Sequence, residues 1–207
     1  RDTDRSRGLG DVYKRQLRCK YNAAFKNLHI AASGNYNLFT TTNATYDPTL
    51  HVEDCTVDAA YNVVYDSHDT QNFKSVYFGN SIVKMTVANK PFYSTKAKDA
   101  HMQQLIRLDN NVFYAETPLQ NYLINCGDRS QAFQTTRLQV EVTYNTIYNI
   151  YQPNIMIRAY VLAGLTVTKN VGYYTGVTAK NYLTGVYDTA GFTADKAEVT
   201  YNYLYTA

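Results

Sequence analysis

Side chains that could perform acid–base or metal chemistry are few and scattered in this chain of 207 residues. The four histidines lack the spacings typical of metal sites, such as His-Glu-x-x-His, so no metal or other cofactor is predicted. His68 and Asp69 are neighbours and could form a ligand pair, although a solvated turn is the more ordinary interpretation. The sequence has neither a glycine-rich phosphate loop nor a Gly-x-Ser-x-Gly elbow. The histidines are His29, His51, His68 and His101.

The three cysteines give no redox signal. Cys19, Cys55 and Cys126 contain no Cys-x-x-Cys pair, and their number is odd. Cys55 and Cys126 occur at positions predicted to lie in the wall of the fold, where a thiol behaves as a small apolar residue. Neither the pairing of the cysteines nor a redox compartment is predicted.

Three charged residues form the candidate catalytic group. Within short alternating segments, Glu53 and Asp109 take one outward position and Arg107 takes the other. If these segments stack as strands, the two carboxylates lie roughly 10 Å apart across the gap left by Gly79. A lyase could use them to hold Ca²⁺, with Arg107 as the base. The alternative is that Arg107 and Glu141 form an exposed ion pair that contributes little to stability. This alternative is favoured because lyase sites usually need three close carboxylates.

Tyrosine is the most unusual component of the sequence, with 21 Tyr beside 8 Phe and no Trp. Many of the tyrosines fall in the C-terminal third. Aromatic rings pack against sugar rings and phenols bond to sugar hydroxyls, so an exposed set would suit a polysaccharide. Tyr151, Tyr174 and Tyr182 are predicted to be exposed, glycan-binding tyrosines. The alternative for each of them is packing within the fold.

The elements that must position these residues are predicted to be β strands. Tyr, Thr, Val and Ile are abundant, and they favour a half-buried pleated surface. With 45% hydrophobic and 18% charged residues, the chain can bury a core and is unlike collagen, a coiled coil or a disordered segment. Its apolar runs are far shorter than the roughly 20 residues of a membrane-spanning helix, so no transmembrane segment is predicted.

Residues 1–16 differ in composition from the rest of the chain. They are charged and aperiodic and resemble a translated sequencing-library adapter, so they are predicted to be a non-native or disordered tail. They hold five of the 20 basic and three of the 17 acidic residues, which leaves 15 against 14 in residues 17–207. This nearly neutral body argues against nucleic-acid binding. Residues 17–207 are predicted to form one domain that is truncated at both ends.

An eight-residue pattern recurs along the body: apolar, any, apolar, any, any, usually Asn, any, usually apolar. Successive copies start 26, 30, 34, 25 and 32 residues apart, and an earlier, weaker copy starts near Leu28. Between copies, a second Asn often precedes a short apolar run, as at Asn37 and Asn62. Each repeat is therefore predicted to contain at least two short strands with a bend at each Asn. The copies are 50–57, 76–83, 106–113, 140–147, 165–172 and 197–204.

Recurrent bend residues can stack if the repeats coil in register. Asn tolerates the left-handed backbone conformation, and its amide can bond to the Asn of the next coil. Cys55 and Ser81 take the equivalent positions in the earlier copies. The predicted ladder consists of Asn111, Asn145, Asn170 and Asn202.

Short strands and a period of 25 to 34 residues predict an all-β fold, a right-handed parallel β-helix of about six to seven coils. Neighbouring coils of such a solenoid lie about 4.8 Å apart. The alternative is an antiparallel sandwich or jelly roll, which would need turns roughly every 8 to 12 residues and hairpin pairs such as Asn-Gly. The body contains no Asn-Gly or Asp-Gly, so the solenoid is favoured.

The repeat resembles the pectate-lyase-like β-helix superfamily, and residues 107–125, 142–155 and 169–176 are similar to an uncharacterised family of Bacteroidetes surface and secreted proteins. This resemblance implies an extracytoplasmic module, secreted or at the cell surface, that binds or presents to polysaccharide without catalysis in this segment. A lyase acting on uronate-containing glycans with Ca²⁺ is the alternative, and a structural surface adhesin is the second alternative. The Asn-Thr-Asp, Asp-Asp, Gly-His-Gly and Arg-Ile-Lys stretches of related polygalacturonases do not occur, which argues against hydrolysis of that kind.

Overall fold

The computed structural model describes residues 16–32, 34–41, 48–59, 61–66, 73–95, 104–126, 138–151, 155–158, 162–174, 184–187 and 197–206. Within these residues every regular element is a β strand, and the strands form three sheets. Residues 1–15 of the predicted tail lie outside the described residues, as do His68, Asp69 and His101.

Each repeat contributes one strand to each sheet. Sheet 1 consists, in order, of β1 (Leu17–Cys19), β4 (Phe39–Thr41), β7 (Val64–Asp66), β10 (Tyr93–Thr95), β13 (Ile124–Cys126), β16 (Ile155–Arg158) and β19 (Thr184–Tyr187). Sheet 2 consists of β2 (Ala23–Lys26), β5 (Thr49–Glu53), β8 (Ser75–Gly79), β11 (Leu105–Asp109), β14 (Leu138–Thr143), β17 (Leu162–Thr168) and β20 (Ala197–Thr200). Sheet 3 consists of β3 (His29–Ala32), β6 (Thr56–Ala59), β9 (Ile82–Met85), β12 (Val112–Gln120), β15 (Thr146–Tyr151), β18 (Val171–Tyr174) and β21 (Tyr203–Thr206).

The strand pairs of the described residues are parallel, and each strand pairs with the strand three places away in the chain. A chain that visits two other sheets before it returns to the first forms a β-solenoid. The prediction of an all-β parallel solenoid is therefore confirmed. A sandwich would join consecutive strands as antiparallel hairpins, so that alternative is wrong.

The strand register follows the alignment of the sequence repeat. The first residues of consecutive copies pair with one another, as Leu50 does with Val76 and Val76 with Ile106. The weak copy near Leu28 was misplaced, because Ala23 is the residue that pairs with Leu50. Leu28 instead follows the bend that ends β2. A short strand whose pattern holds a single strong apolar residue, Phe25, gave too weak a signal to fix the register.

The core lies inside the three sheets, and in sheet 2 it is filled by every second side chain. Across the five residues of β11 half-buried and buried positions alternate, and the buried ones, Ile106 and Leu108, point inward. In sheet 1 all three residues of β4 and of β10 are buried. Phenylalanines form a chain of contacts through this interior, with ring centroids 4.7 to 6.0 Å apart. Fully burying one such ring stabilises the fold by roughly 1.5–3 kcal/mol. The rings are those of Phe25, Phe39, Phe78, Phe92 and Phe113.

A two-residue bend joins each sheet 2 strand to the following sheet 3 strand. Its first residue has a positive φ of 50° to 58° in every repeat, and its second residue is the ladder position. The left-handed conformation that the sequence pattern assigned to the ladder Asn therefore belongs to the residue before it. The residues with this conformation are Asn27, Asp54, Asn80, Asn110, Tyr144, Lys169 and Tyr201.

The ladder asparagines stack inside the bend and are bonded from coil to coil. Asn111 Nδ2 donates to Asn145 Oδ1 at 3.1 Å, Asn145 Nδ2 to Asn170 Oδ1 at 2.9 Å, and Asn170 Nδ2 to Asn202 Oδ1 at 2.8 Å. The same oxygens accept the backbone N–H of the preceding ladder residue at 2.9 to 3.1 Å. Ser81 and Cys55 continue the series through backbone N–H donors, which bond to Asn111 Oδ1 and Ser81 Oγ respectively.

Candidate functional site

The predicted catalytic residues lie on the outer face of sheet 2. Glu53 pairs in register with Gly79, and Gly79 pairs with Asp109, so one strand separates the two carboxylates. Arg107 lies beside Glu141 of the next strand. The order of these outward residues along the solenoid is the order that the sequence alignment predicts.

The gap at Gly79 is filled by a side chain of its own strand. A Cβ added at Gly79 would overlap the hydroxyl and ring of Tyr77, so the phenol lies directly over the glycine. Burial raises the pKa of Tyr77, and the negative charges of Asp109 and Glu53 raise it further. The phenol therefore occupies the space between the two carboxylates in which the lyase alternative would place its cation.

Arg107 is held by the carboxylates around it. Its Nη2 lies 3.6 Å from Asp109 Oδ2, and its Nε lies 3.3 Å from Glu141 Oε2 but outside hydrogen-bonding geometry. The guanidinium also sits 5.8 Å from the centre of the Tyr77 ring. An arginine side chain has N–H donors and no acceptor to offer, so beside two carboxylates it is suited to pairing with them and not to acting as a base. Its contacts are with Asp109 on its own strand and with Tyr77 and Glu141 on the two neighbouring strands.

Glu53 is engaged on the opposite side of the stripe. Lys26 Nζ lies 3.0 Å from Glu53 Oε2, and His51 Nε2 lies 3.5 Å from the same oxygen. The hydrogen bond from Lys26 lowers the pKa of Glu53, and partial burial opposes that shift. Among the described residues, no three His, Cys, Asp or Glu side chains converge in a way that could hold a metal ion.

The structure describes two of the three tyrosines predicted to bind glycan, and neither of these two is exposed. Tyr151, at the end of β15, is half-buried, and Tyr182 lies outside the described residues. Tyr174 is only 1% exposed, so the prediction that it is exposed is wrong. The physical reason is strand alternation, because Gly172 points inward and Tyr174, two residues on, points to the same side.

A different set of tyrosines is exposed on the outer face of sheet 3. Tyr148, Tyr173 and Tyr205 stack in register on three neighbouring strands, and all three are exposed. The rings of Tyr148 and Tyr173 are nearly parallel, with centroids 5.8 Å apart and an interplanar angle of 15°. A sugar ring between two aromatic faces needs roughly 7 Å, twice a van der Waals contact. These two rings therefore offer their edges and hydroxyls, not their facing surfaces, to a ligand.

The bend beside this stack carries two tyrosines and a lysine in the same three repeats. The residues with positive φ are Tyr144, Lys169 and Tyr201, where the earlier repeats have Asn or Asp. Asn and Asp tolerate this conformation, whereas a Tyr or Lys there costs roughly 1 kcal/mol or more. Backbone strain of this kind is concentrated at functional sites.

Lys169 is fixed within this corner. Its Nζ donates a hydrogen bond to Tyr144 Oη at 2.7 Å and lies 4.8 Å from the centre of the Tyr144 ring. The hydrogen bond to Tyr144 raises the pKa of Lys169. Lys169, Val171, Tyr201 and Tyr203 line a shallow open pocket at the edge of the sheet 3 face.

These exposed residues form one continuous surface that wraps from the bend onto sheet 3. Their positions could be read from the sequence, because the first and third residues after each ladder Asn point outward. Tyr174 is instead the fourth residue after its ladder Asn, which is why it points inward. We call this surface the aromatic patch; it consists of Tyr144, Tyr148, Lys169, Tyr173, Tyr201, Tyr203 and Tyr205.

Comparison of the chain with protein-family models, with curated proteins and with solved structures finds no match. In the part of the chain that the structure describes, no helix is long and apolar enough to cross a membrane.

Proposed function

We propose that the chain is part of an extracytoplasmic module that binds polysaccharide through the aromatic patch and does not act on it chemically. The observation that carries this proposal is the concentration of exposed tyrosines at one bend and on the adjoining face of sheet 3 in three successive repeats. Exposed aromatic side chains that form a contiguous surface are typical of binding sites. Tyrosine suits a sugar because its ring packs against C–H groups while its hydroxyl bonds to sugar hydroxyls.

The shape of the patch favours a polymer as the ligand. Its side chains follow the solenoid axis from β15 to β21, and the pocket among its described residues is shallow and open. A small molecule is usually held in a cleft that buries most of its surface. An extended chain can instead collect many weak contacts along a row of phenols. The secreted or cell-surface location is supported by the sequence resemblance.

The same proposal includes the finer architecture. Connections between parallel strands of one sheet are right-handed in about 98% of cases, which supports a right-handed β-helix. The described strands number seven in each sheet, which supports about seven coils. Both features fit the resemblance to the pectate-lyase-like superfamily.

The polar stripe of sheet 2 does not favour the lyase alternative. Arg107 faces two carboxylates, and Tyr77 fills the position between Glu53 and Asp109. A lyase would need an uncharged base and an open place for the cation. The balanced ion pairs along this stripe suit a solvated sheet face.

Affinity electrophoresis in gels that contain soluble polysaccharides tests the proposed function. The test variant is Tyr201→Ala combined with Tyr203→Ala, whose side chains are 67% and 55% exposed. The matched control is Tyr36→Ala, a tyrosine of 51% exposure outside the patch. We expect at least one polysaccharide to retard the wild type and the control, and the double variant to migrate freely with an unchanged circular dichroism spectrum. Equal retardation of the double variant, or no retardation of the wild type across neutral and acidic polysaccharides, would refute the proposal.

A further inference from the structure

The charge within the aromatic patch points to a more specific ligand. Lys169 is the cation of the patch, and it stands at the centre of the bend column between Tyr144 and Tyr201. Its Nζ uses one donor on Tyr144 Oη, which leaves two N–H donors and the Tyr144 hydroxyl hydrogen without acceptors among the described residues. Three donors therefore lie together where the Lys169 and Tyr144 side chains meet, one coil before the pocket that Lys169 lines with Val171, Tyr201 and Tyr203.

The backbone conformation of Lys169 is energetically unfavourable for a lysine, which indicates that its side chain has a function at this position. Its backbone is in the left-handed conformation, with φ 58°, which an Asn would adopt more readily. The hydrogen bond to Tyr144 holds the ammonium group against the phenol of the preceding coil, 4.8 Å from the centre of its ring. A strained backbone and an ammonium fixed beside a hydroxyl on an exposed surface together indicate recognition of an anionic group.

We propose that Lys169 and Tyr144 bind a sulfate ester of the polysaccharide, while Tyr201 and Tyr203 contact the sugar that carries it. This inference rests on the proposed function and names the chemical class of its ligand. A lysine ammonium is a compact charge whose donors point in several directions, which suits a tetrahedral oxyanion. A planar carboxylate is better matched by the fork of an arginine, and the aromatic patch contains none.

One acidic residue near Lys169 opposes an anion. The charge of Glu198 acts on Lys169 and contributes to its raised pKa. Lys169 is consequently charged across the neutral pH range, and Glu198 lowers the net positive field that a sulfate would meet. Replacing Glu198 by Gln should therefore tighten binding of the sulfated ligand.

The test compares binding of a sulfated galactan, the same galactan after chemical desulfation, and a polyuronate of similar length. The variants are Lys169→Gln, Lys169→Arg and Glu198→Gln. Lys90→Gln is the matched control, because Lys90 Nζ also lies over a tyrosine ring, 4.1 Å from the centre of Tyr61, away from the patch. We expect the wild type to bind the sulfated galactan about tenfold more tightly than the desulfated form, as one charge-assisted hydrogen bond would provide.

Lys169→Gln should abolish that preference, Lys169→Arg should keep part of it, and Lys90→Gln should leave it unchanged. If the wild type binds both galactans equally, the sulfate inference is wrong and the proposed function stands. If it binds the polyuronate as tightly as the sulfated galactan, and Lys169→Gln weakens both, the anion is not specifically a sulfate. If the wild type binds none of the three, the sulfate inference fails; the proposed function fails with it only when the other neutral and acidic polysaccharides also leave the wild type unretarded.

Discussion

The hydrogen bonds of Asn145 make a quantitative prediction about stability. Its Oδ1 accepts the backbone N–H of Asn111 at 2.9 Å, and its Nδ2 donates to the Leu108 carbonyl at 2.9 Å. Asn145 and Asn111 are each 1% exposed, so water cannot replace these bonds without a rearrangement. Asn145→Ala leaves two buried donors of Asn111, its backbone N–H and one N–H of Nδ2, without an acceptor, and the Leu108 carbonyl without its side-chain partner. At about 1–3 kcal/mol for each of the two donors, we expect the free energy of unfolding to fall by about 2–6 kcal/mol.

Urea unfolding followed by far-ultraviolet circular dichroism measures this loss. The matched control is Thr146→Ala, because Thr146 is the next residue in the chain but is exposed on the outer face. We expect this control to stay within about 0.5 kcal/mol of the wild type. Since a solenoid is stabilised by contacts between neighbouring coils, the slope of the transition must be compared as well. If Asn145→Ala matches the wild type at an unchanged slope, or if Thr146→Ala loses as much, the ladder does not carry this stability.

Two further predictions concern the alternation of sheet 3 and the ion pair at Glu53. Tyr174→Ala should reduce the free energy of unfolding by about 3–5 kcal/mol, because the side chain is buried. Tyr173→Ala, on the outer face, should reduce it clearly less. Equal losses in urea titrations would contradict the assigned faces. The pKa of Glu53 is lowered mainly by Lys26, so this pair stabilises the fold above the ordinary carboxyl pKa and stops doing so as the pH falls through the lowered value. Melting temperatures of wild type and Lys26→Gln should therefore differ at neutral pH and converge in acid; a difference that persists or grows in acid would show that the pair is not the cause.

The fold could be predicted from the sequence because each repeat carries two independent signals. Alternation in sheet 2 identifies the inward residues, and the ladder residue fixes where the bend falls. Together they define which residues pair, as Val140 does with Ile106 and Leu165. The weak copy failed where one signal was missing, since Leu28 stands at the ladder position of the first repeat.

The candidate site was less predictable because side-chain direction depends on neighbours. Gly79 was expected to leave a gap, but nothing in the sequence states that the Tyr77 ring turns onto it. For Tyr174 the failure was different, because counting two residues from the inward Gly172 would have placed it inside. The exposed Tyr173 and Tyr205 follow from the same count.

The left-handed conformation at each bend is stabilised either by the bend residue itself or by the ladder residue that follows it. In the first two repeats the ladder positions are Leu28 and Cys55, which lack a side-chain amide, and the bend residues before them are Asn27 and Asp54. Those bend residues adopt a positive φ readily by themselves. In the last three repeats every ladder residue is Asn, and the bend residues are Tyr, Lys and Tyr.

This complementarity explains how the aromatic patch can exist. Where consecutive ladder amides bond to one another and to the backbone, they fix the bend from inside. The residue before each ladder Asn then does not need an intrinsic preference for the left-handed conformation. A large side chain such as Tyr144 or Tyr201 can then occupy a position that would otherwise require Asn. The buried ladder thus provides the rigid support that a binding surface needs, and the outward residues of the same coils are left to contact the ligand.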